Sequence, residues 1–316
     1  MSEVVTTLAR SLRRLWDEGA RVERVAIGVG ALLMASGLVH LAVLVVSGGT
    51  WTGPVSLRKP TTFGLSFGLT LVTVAWVAHL MRLSPRLRGP VLAVFTAACV
   101  VETALVSVQA WRGVPSHLNF ATGFDSAVSA TLAFGGMVLI ATAVALTLAA
   151  LARGGVTPSM RLATQFGFLT LLVALGVGAA MISAGTAAAR SDPALAYSAA
   201  GFLKLPHAVF MHGVLVIPGL AWLLDLGRYG ESVRLRVVGL GAAGYLLVGL
   251  VVLVESIARV PLFAAPAPAM AAAGAGLVLL VAAAGIAARG LLIRHPGHPE
   301  PTPDAVLPTP PMSQIN

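Results

Sequence analysis

Only two lysines occur in the 316 residues, Lys59 and Lys204, and each stands just ahead of a proline at the start of an apolar run, as Lys59-Pro60 and Lys204-Leu205-Pro206. An ammonium group at such a helix start suits the recognition of an anion, which the helix N-terminus also favours. Counted from each proline, the chain reaches an Ala-Trp pair at the same offset, Ala75-Trp76 and Ala221-Trp222. The economical reading is a duplicated unit with a matched cation at the mouth of the same helix in each half.

Further groups capable of chemistry lie near the same level. Glu102 and Glu255 fall within apolar runs in corresponding parts of the two halves. A charge there costs roughly 2.5 kcal/mol or more, so each must face inward and be paired or protonated. Arg259, four residues beyond Glu255, is its expected helical partner. Glu102 has no local cation, but Gln109 shares its helical face. After Gln109 comes Trp111-Arg112-Gly113-Val114-Pro115-Ser116-His117-Leu118-Asn119-Phe120, then Phe124-Asp125. Proline and glycine fix turns there, while Arg112, His117, Asn119 and Asp125 supply hydrogen bonds, a composition suited to a lid over a cavity. Trp111 and Phe120 also fit interfacial anchoring, and Asp125 a helix cap. His207 shares a helical face with Lys204. His212 is turned by about 140° from His207 and does not join it on one metal ion along a regular helix.

The elements that must hold these residues follow from composition. With 57% apolar and 10% charged residues and mean hydropathy +0.89, the chain is all-α and polytopic in a membrane; soluble domains carry about 25% charged residues. Runs long enough to span a bilayer fall near 25–47, 61–81, 91–109, 128–152, 163–186, 205–226, 237–258 and 269–288. Eight helices result, too long and too uniformly apolar for the alternating strands of a membrane barrel. The expected domains are an N-terminal segment 1–24, two four-helix repeats 25–152 and 153–294, and a Pro-rich tail 295–316, extended and disordered by composition. Fifteen of the 21 Lys and Arg residues fall in the N-terminal segment, alternate loops and the C-terminal end. Both termini are therefore expected on the cytoplasmic side of the cell membrane.

On this topology the lysines, His40 of the first span and His212 of the sixth lie toward the outer side, each histidine about seven residues from a helix end. The net charge of +9 lies mostly in membrane-flanking arginines, with no base-stacking motif, and gives no reason to expect a nucleic-acid partner. Arg10, Leu12, Leu15 and Trp16 fit a short amphipathic helix on anionic lipid. The single cysteine, Cys99, excludes an internal disulfide. Gly64 and Gly68 form a small-residue packing motif. Pro218 is expected to kink the sixth span, and His79 to sit at an interface. The familiar phosphate-loop, Cys-pair and nucleophile-elbow signatures of enzymes are absent from the sequence. Small-residue faces such as Gly239-Leu240-Gly241 and Gly274-Ala275-Gly276 suit packing within or between protomers, compatible with a homo-oligomer.

Two motif blocks, Trp51-Thr-Gly-Pro-Val-Ser-Leu-Arg-Lys-Pro with Phe63-Gly64, and Gln109-Ala-Trp-Arg-Gly-Val-Pro-Ser-His-Leu-Asn with Phe124-Asp125, resemble a group of bacterial integral membrane proteins for which no activity is established. The four-plus-four plan is similar in architecture to haem A synthase, whose paired histidines lie on even-numbered helices; the fourth and eighth spans here contain none. Ser116, His117, Asp125, His207 and His212 supply the residue types of the zinc site in ceramidase-like membrane hydrolases, without that family's four-residue His spacing.

Three functional readings follow. In the first, an outward-facing pocket binds or transports a small polar or anionic molecule through Lys59, Arg112 and Lys204, with Glu102 or His212 coupling to protons. In the second, His40 and His212 ligate haem in a redox protein. In the third, His117, His207 and His212 hold zinc, with Glu102 or Asp125 as general base.

Overall fold

The computed structural model describes residues 2–292, apart from 82, 153–155, 192–198, 200, 228 and 262–263. The expected Pro-rich tail, with His295 and His298, and the loop arginines Arg82, Arg153, Arg228 and Arg294 lie outside the described residues. The chain forms α1 (Ser2–Glu18), α2 (Arg21–Val46), α3 (Arg58–Leu80), α4 (Pro85–Trp111), α5 (Gly123–Ala152), α6 (Pro158–Ser191), a 3-10 turn Gly201–Leu203, α7 (Lys204–Leu226), α8 (Glu231–Ile257) and α9 (Ala267–Leu292). No strand occurs among the described residues. The eight helices α2 to α9 are long and apolar enough to cross a membrane, as the apolar runs require.

Local chemistry sets several boundaries. Pro85 opens α4 behind the extended Ser84, where proline's missing N–H costs no hydrogen bond. In α2, the Glu23 carboxylate accepts from the Ala20 N–H at 2.6 Å, satisfying a first-turn donor. α6 runs past the expected end at 186 because Ala187-Ala188-Ala189 favours helix. α7 continues as one helix through Pro218.

The closest helix pairs use glycine. An added Cβ on Gly64 would lie 2.7 Å from the Gly37 nitrogen and the Leu33 oxygen, and one on Gly68 would meet the Gly30 oxygen at 2.5 Å. Gly64 and Gly68 thus serve the packing expected of them, bringing the α2 and α3 backbones together. Gly167 plays that part against Val214 between α6 and α7, and Gly244 against Gly276 between α8 and α9.

One buried core, including Leu71, Val74, Leu92, Phe95, Leu146 and Phe168, joins α3, α4, α5 and α6. A second, including Ile217, Leu224, Val238, Tyr245 and Ala283, joins α7, α8 and α9. In the first half α2 packs on α3 and α4, α3 on α4, and α4 on α5; in the second, α6 packs on α7 and α8, α7 on α8, and α8 on α9. The halves meet through α5 with α6 and α3 with α7. α3 and α7 are both 23 residues long, α4 and α8 both 27. The ends pair as Arg58 with Lys204, Leu80 with Leu226, Pro85 with Glu231 and Trp111 with Ile257, at one constant separation.

α3 and α7 meet side by side and parallel. Ser66 Oγ donates to Met211 Sδ at 3.0 Å. Further along, Trp76 and Trp222 meet edge to face with centroids 5.8 Å apart. The two tryptophans that share an offset in the sequence therefore touch each other in the fold.

Candidate functional site

The segment after α4 is closed by a network on Asp125, which is 1% exposed, and Gln109, which is fully buried. Gln109 Nε2 and Arg112 Nη1 donate to Asp125 Oδ1 at 2.9 and 2.6 Å, and Arg112 Nη1 also donates to Gln109 Oε1. Thr122 Oγ1 donates to Asp125 Oδ2 at 2.7 Å and accepts from the Asp125 N–H at 3.1 Å. Thr122, rather than Asp125, thus caps α5. The Arg112 guanidinium lies 4.6 Å from the centre of the Phe124 ring. Asn119 bonds Ser129, Pro115 and Ala121. These bonds make Gln109, Arg112, Asn119 and Asp125 a frame for the loop, while the rest of the Arg112 guanidinium, 39% exposed, remains accessible.

This frame presents His117 to α3. Its Nδ1 accepts from Lys59 Nζ at 3.2 Å and lies 3.0 Å from Ser116 Oγ; the Phe63 ring packs against it, centroids 5.8 Å apart. An ammonium can only donate, so Nδ1 is the acceptor and the ring is neutral. Burial, and secondarily the Lys59 charge, hold the His117 pKa well below the usual 6.5. The unfolded chain therefore takes up a proton near pH 6.5 that the native ring refuses. His117 contributes stability above that pH and loses it as pH falls below, by up to about 1.4 kcal/mol per pH unit. Melting of the purified protein is expected to drop between pH 7 and 5, and His117→Asn to flatten that drop.

Behind Lys59 lies Glu102, 3% exposed. Its Oε1 has no hydrogen-bond partner, nor has Oγ1 of the adjacent Thr103. Gly135 of α5 makes room for the carboxylate, since a Cβ there would collide with Oε1. Lys59 lies within electrostatic reach of Arg58, Lys204 and Glu102, in falling order of effect. Lys59 of α3 thus touches His117 of the loop after α4 and lies in longer electrostatic reach of Lys204 of α7 and Glu102 of α4.

Other expected site residues stand apart. His40 donates from Nδ1 to Ser36 O at 2.8 Å and accepts at Nε2 from Trp111 Nε1 at 3.0 Å. Both ring nitrogens are thereby engaged, and α2 does not pack along α7, so His40 and His212 do not form an axial pair. His207 and His212 donate from Nδ1 to the carbonyls of Ala174 and Ala208, at 2.7 and 2.6 Å. Among the described residues no group of three or more His, Cys, Asp and Glu is placed to hold a metal ion; His117 is turned to Lys59 instead of toward zinc.

Glu255, 9% exposed, does not pair with Arg259. α8 ends at Ile257 and the chain turns through Arg259 at φ 60°, so the expected helical four-residue relation no longer exists. The Arg259 guanidinium instead lies 3.5 Å from the centre of the Phe202 ring. The end of α4 closes alike: Gly113 has φ 70°, and Val114 N–H donates to Gln109 O as Val260 N–H does to Glu255 O. By these ends Glu255 stands level with Gln109, and Glu102 lies two turns deeper.

One carboxylate centre at the opposite end of the bundle escaped sequence reasoning. Glu23, 2% exposed, receives Arg88 Nη1 at 3.3 Å and lies 3.2 Å from His79 Nδ1, joining α2, α4 and α3. Its signal was Glu23 three residues after the helix-capping Ala20. The second half holds Arg234 bonded to Asp225 and, at 2.7 Å, to Glu231.

Two grooves of about 450 and 520 Å3 lie on the flanks. The first is lined by Phe202, Leu253 and Arg259 among others, the second by Arg21, Val25 and Ala93; neither is lined by Lys59, Glu102 or His117. Compared with known proteins, the chain matches no family model, no curated protein and no solved structure.

Proposed function

We propose that this chain is a multi-pass membrane protein of duplicated four-helix halves that binds a small anion, for transport or sensing, between Lys59 and Lys204 at the outer end of α3 and α7. The observation that carries this reading is Lys59, which lies within electrostatic reach of its matched lysine, Lys204, and of the buried Glu102 carboxylate with its unpartnered oxygen. Arg58 and Lys204 act on Lys59 more strongly than Glu102 does, so the field at the Lys59 ammonium is positive in an apolar setting, which favours an anion there. Equal helix lengths, constant separations and the Trp76–Trp222 contact support the duplication. The arginine asymmetry supports the cell membrane with both termini cytoplasmic.

In this reading Lys59 and Lys204 bind the anion, His117 orients the Lys59 ammonium as a neutral acceptor, and Glu102 is the proton-accepting group. When an anion engages Lys59, Glu102 loses part of its compensating charge and takes a proton, which couples anion binding to proton uptake. Arg112, Gln109 and Asp125 enter as supports of the His117 loop. His207 and His212, on different faces of α7, have Nδ1 committed to the carbonyls of Ala174 and Ala208 and are not assigned to the anion.

Replacing either lysine with Gln is expected to weaken binding by about 2 kcal/mol, roughly 30-fold, the worth of a charge-assisted hydrogen bond. The double variant should lose measurable binding while its helix content and melting are retained. Retained affinity in a folded double variant would overturn the reading.

A further inference from the structure

α1 is not among the eight helices apolar enough to cross a membrane, and it carries Arg10, Arg13, Arg14, Asp17 and Glu18. At about 100° per residue, Val4, Val5, Leu8, Leu12 and Trp16 fall on one side and these charges on the other. Val4 and Leu8 are half-buried against the bundle beside the buried Thr7, but the outer part of the apolar side is uncovered: Val5 is 61% exposed, Leu12 56% and Trp16 48%.

This exposure is built into the fold. The bend into α2 is fixed by Arg24, which donates to Gly19 O at 2.8 Å and Trp16 O at 3.4 Å, and by the Glu23 bond to Ala20. The polar edge of α1 is fastened to the bundle by Trp222 Nε1, which donates to Ser11 Oγ at 3.2 Å. α1 therefore leaves the bundle in a set direction. In the next helix, α2, Val25 and Leu32 are exposed in turn, on a helix apolar enough to cross a membrane. Beside the bend opens the 520 Å3 groove between α2 and α4, with Arg21 beside Val22, Val25, Ala93 and Ala97.

We propose that α1 is a membrane-surface helix seated in the headgroup layer of an anionic leaflet. Val5, Leu12 and Trp16 enter the acyl boundary, and Arg13 and Arg21 meet lipid phosphates. A bilayer surface fits better than a protein partner because α1 leads directly into α2, a helix apolar enough to cross a membrane, and because Trp and Arg together suit the interface. Through Ser11 and Trp222, the seat of α1 bears directly on the Trp76–Trp222 contact between α3 and α7.

The test uses the full chain in vesicles of phosphatidylcholine, with and without phosphatidylglycerol, with a thiol-reactive fluorophore at Leu12→Cys or, on the charged side, Asp17→Cys. Cys99 is fully buried and stays unlabelled. Brominated lipid is expected to quench the Leu12 label several-fold more than the Asp17 label, more strongly with phosphatidylglycerol present. Val5→Asp should bring the Leu12 label down to the Asp17 level, with helix content unchanged. Equal quenching at the two positions would overturn the proposal. So would a Leu12 label shielded from iodide yet unquenched by lipid, which would assign the arc to a protein partner, or quenching indifferent to anionic lipid.

Discussion

Replacing Asp125 with Ala is expected to lower the melting temperature by several degrees and to free the loop that carries His117. The carboxylate is 2% exposed and its loss strips Arg112 of its ion pair, while the Arg112 side chain, 39% exposed, regains water and so limits the cost. Gln109 Nε2 and Thr122 Oγ1 would lose their acceptor in the same step. Asp125→Asn keeps an acceptor oxygen for Arg112 and should cost less. Thermal unfolding in detergent measures both, and limited proteolysis at 113–122 reads the loop. An alanine variant that melts like wild type and keeps a protected loop would show that the network does not hold the segment.

The second large effect is expected at Gly64. A leucine there drives its Cβ into the backbone at Gly37 and Leu33, both 2.7 Å away. Backbone cannot rotate aside as a side chain can, so α2 and α3 must separate. Overpacking costs about 1–3 kcal/mol, and this site lies at or above the upper end. Gly28, which has nothing within 4 Å of an added Cβ, provides the control: Gly28→Leu should melt close to wild type. Similar melting of the two variants would contradict the close crossing.

The fold was legible because each bilayer-spanning run states its own length, and because Gly64 and Gly68 repeat at the spacing of one helix face. The matched positions of Trp76 and Trp222 were also readable, though not that they touch. Misreadings arose where the chain leaves helix geometry. Glu255 and Arg259 have ideal helical spacing, but the turn at Arg259 separates them. His40 and His212 sit at similar depths, yet depth does not tell which helices are neighbours, and Trp111 takes the nitrogen that a haem iron would need. The Glu23 centre was not readable in the sequence because its partners, His79 and Arg88, come from distant helices. For the same reason the frame around Asp125 showed its members in sequence but not its closure.

The measurement that tests the central claim most directly is a calorimetric titration of purified protein with acetate, inorganic phosphate and neutral acetamide, run on wild type and on the Lys59→Gln, Lys204→Gln double variant. Saturable heat with at least one anion, none with acetamide, and its loss in a double variant that still melts cooperatively is the result expected of paired lysines over Glu102. Equal heats in wild type and variant, or binding indifferent to ligand charge, would contradict it.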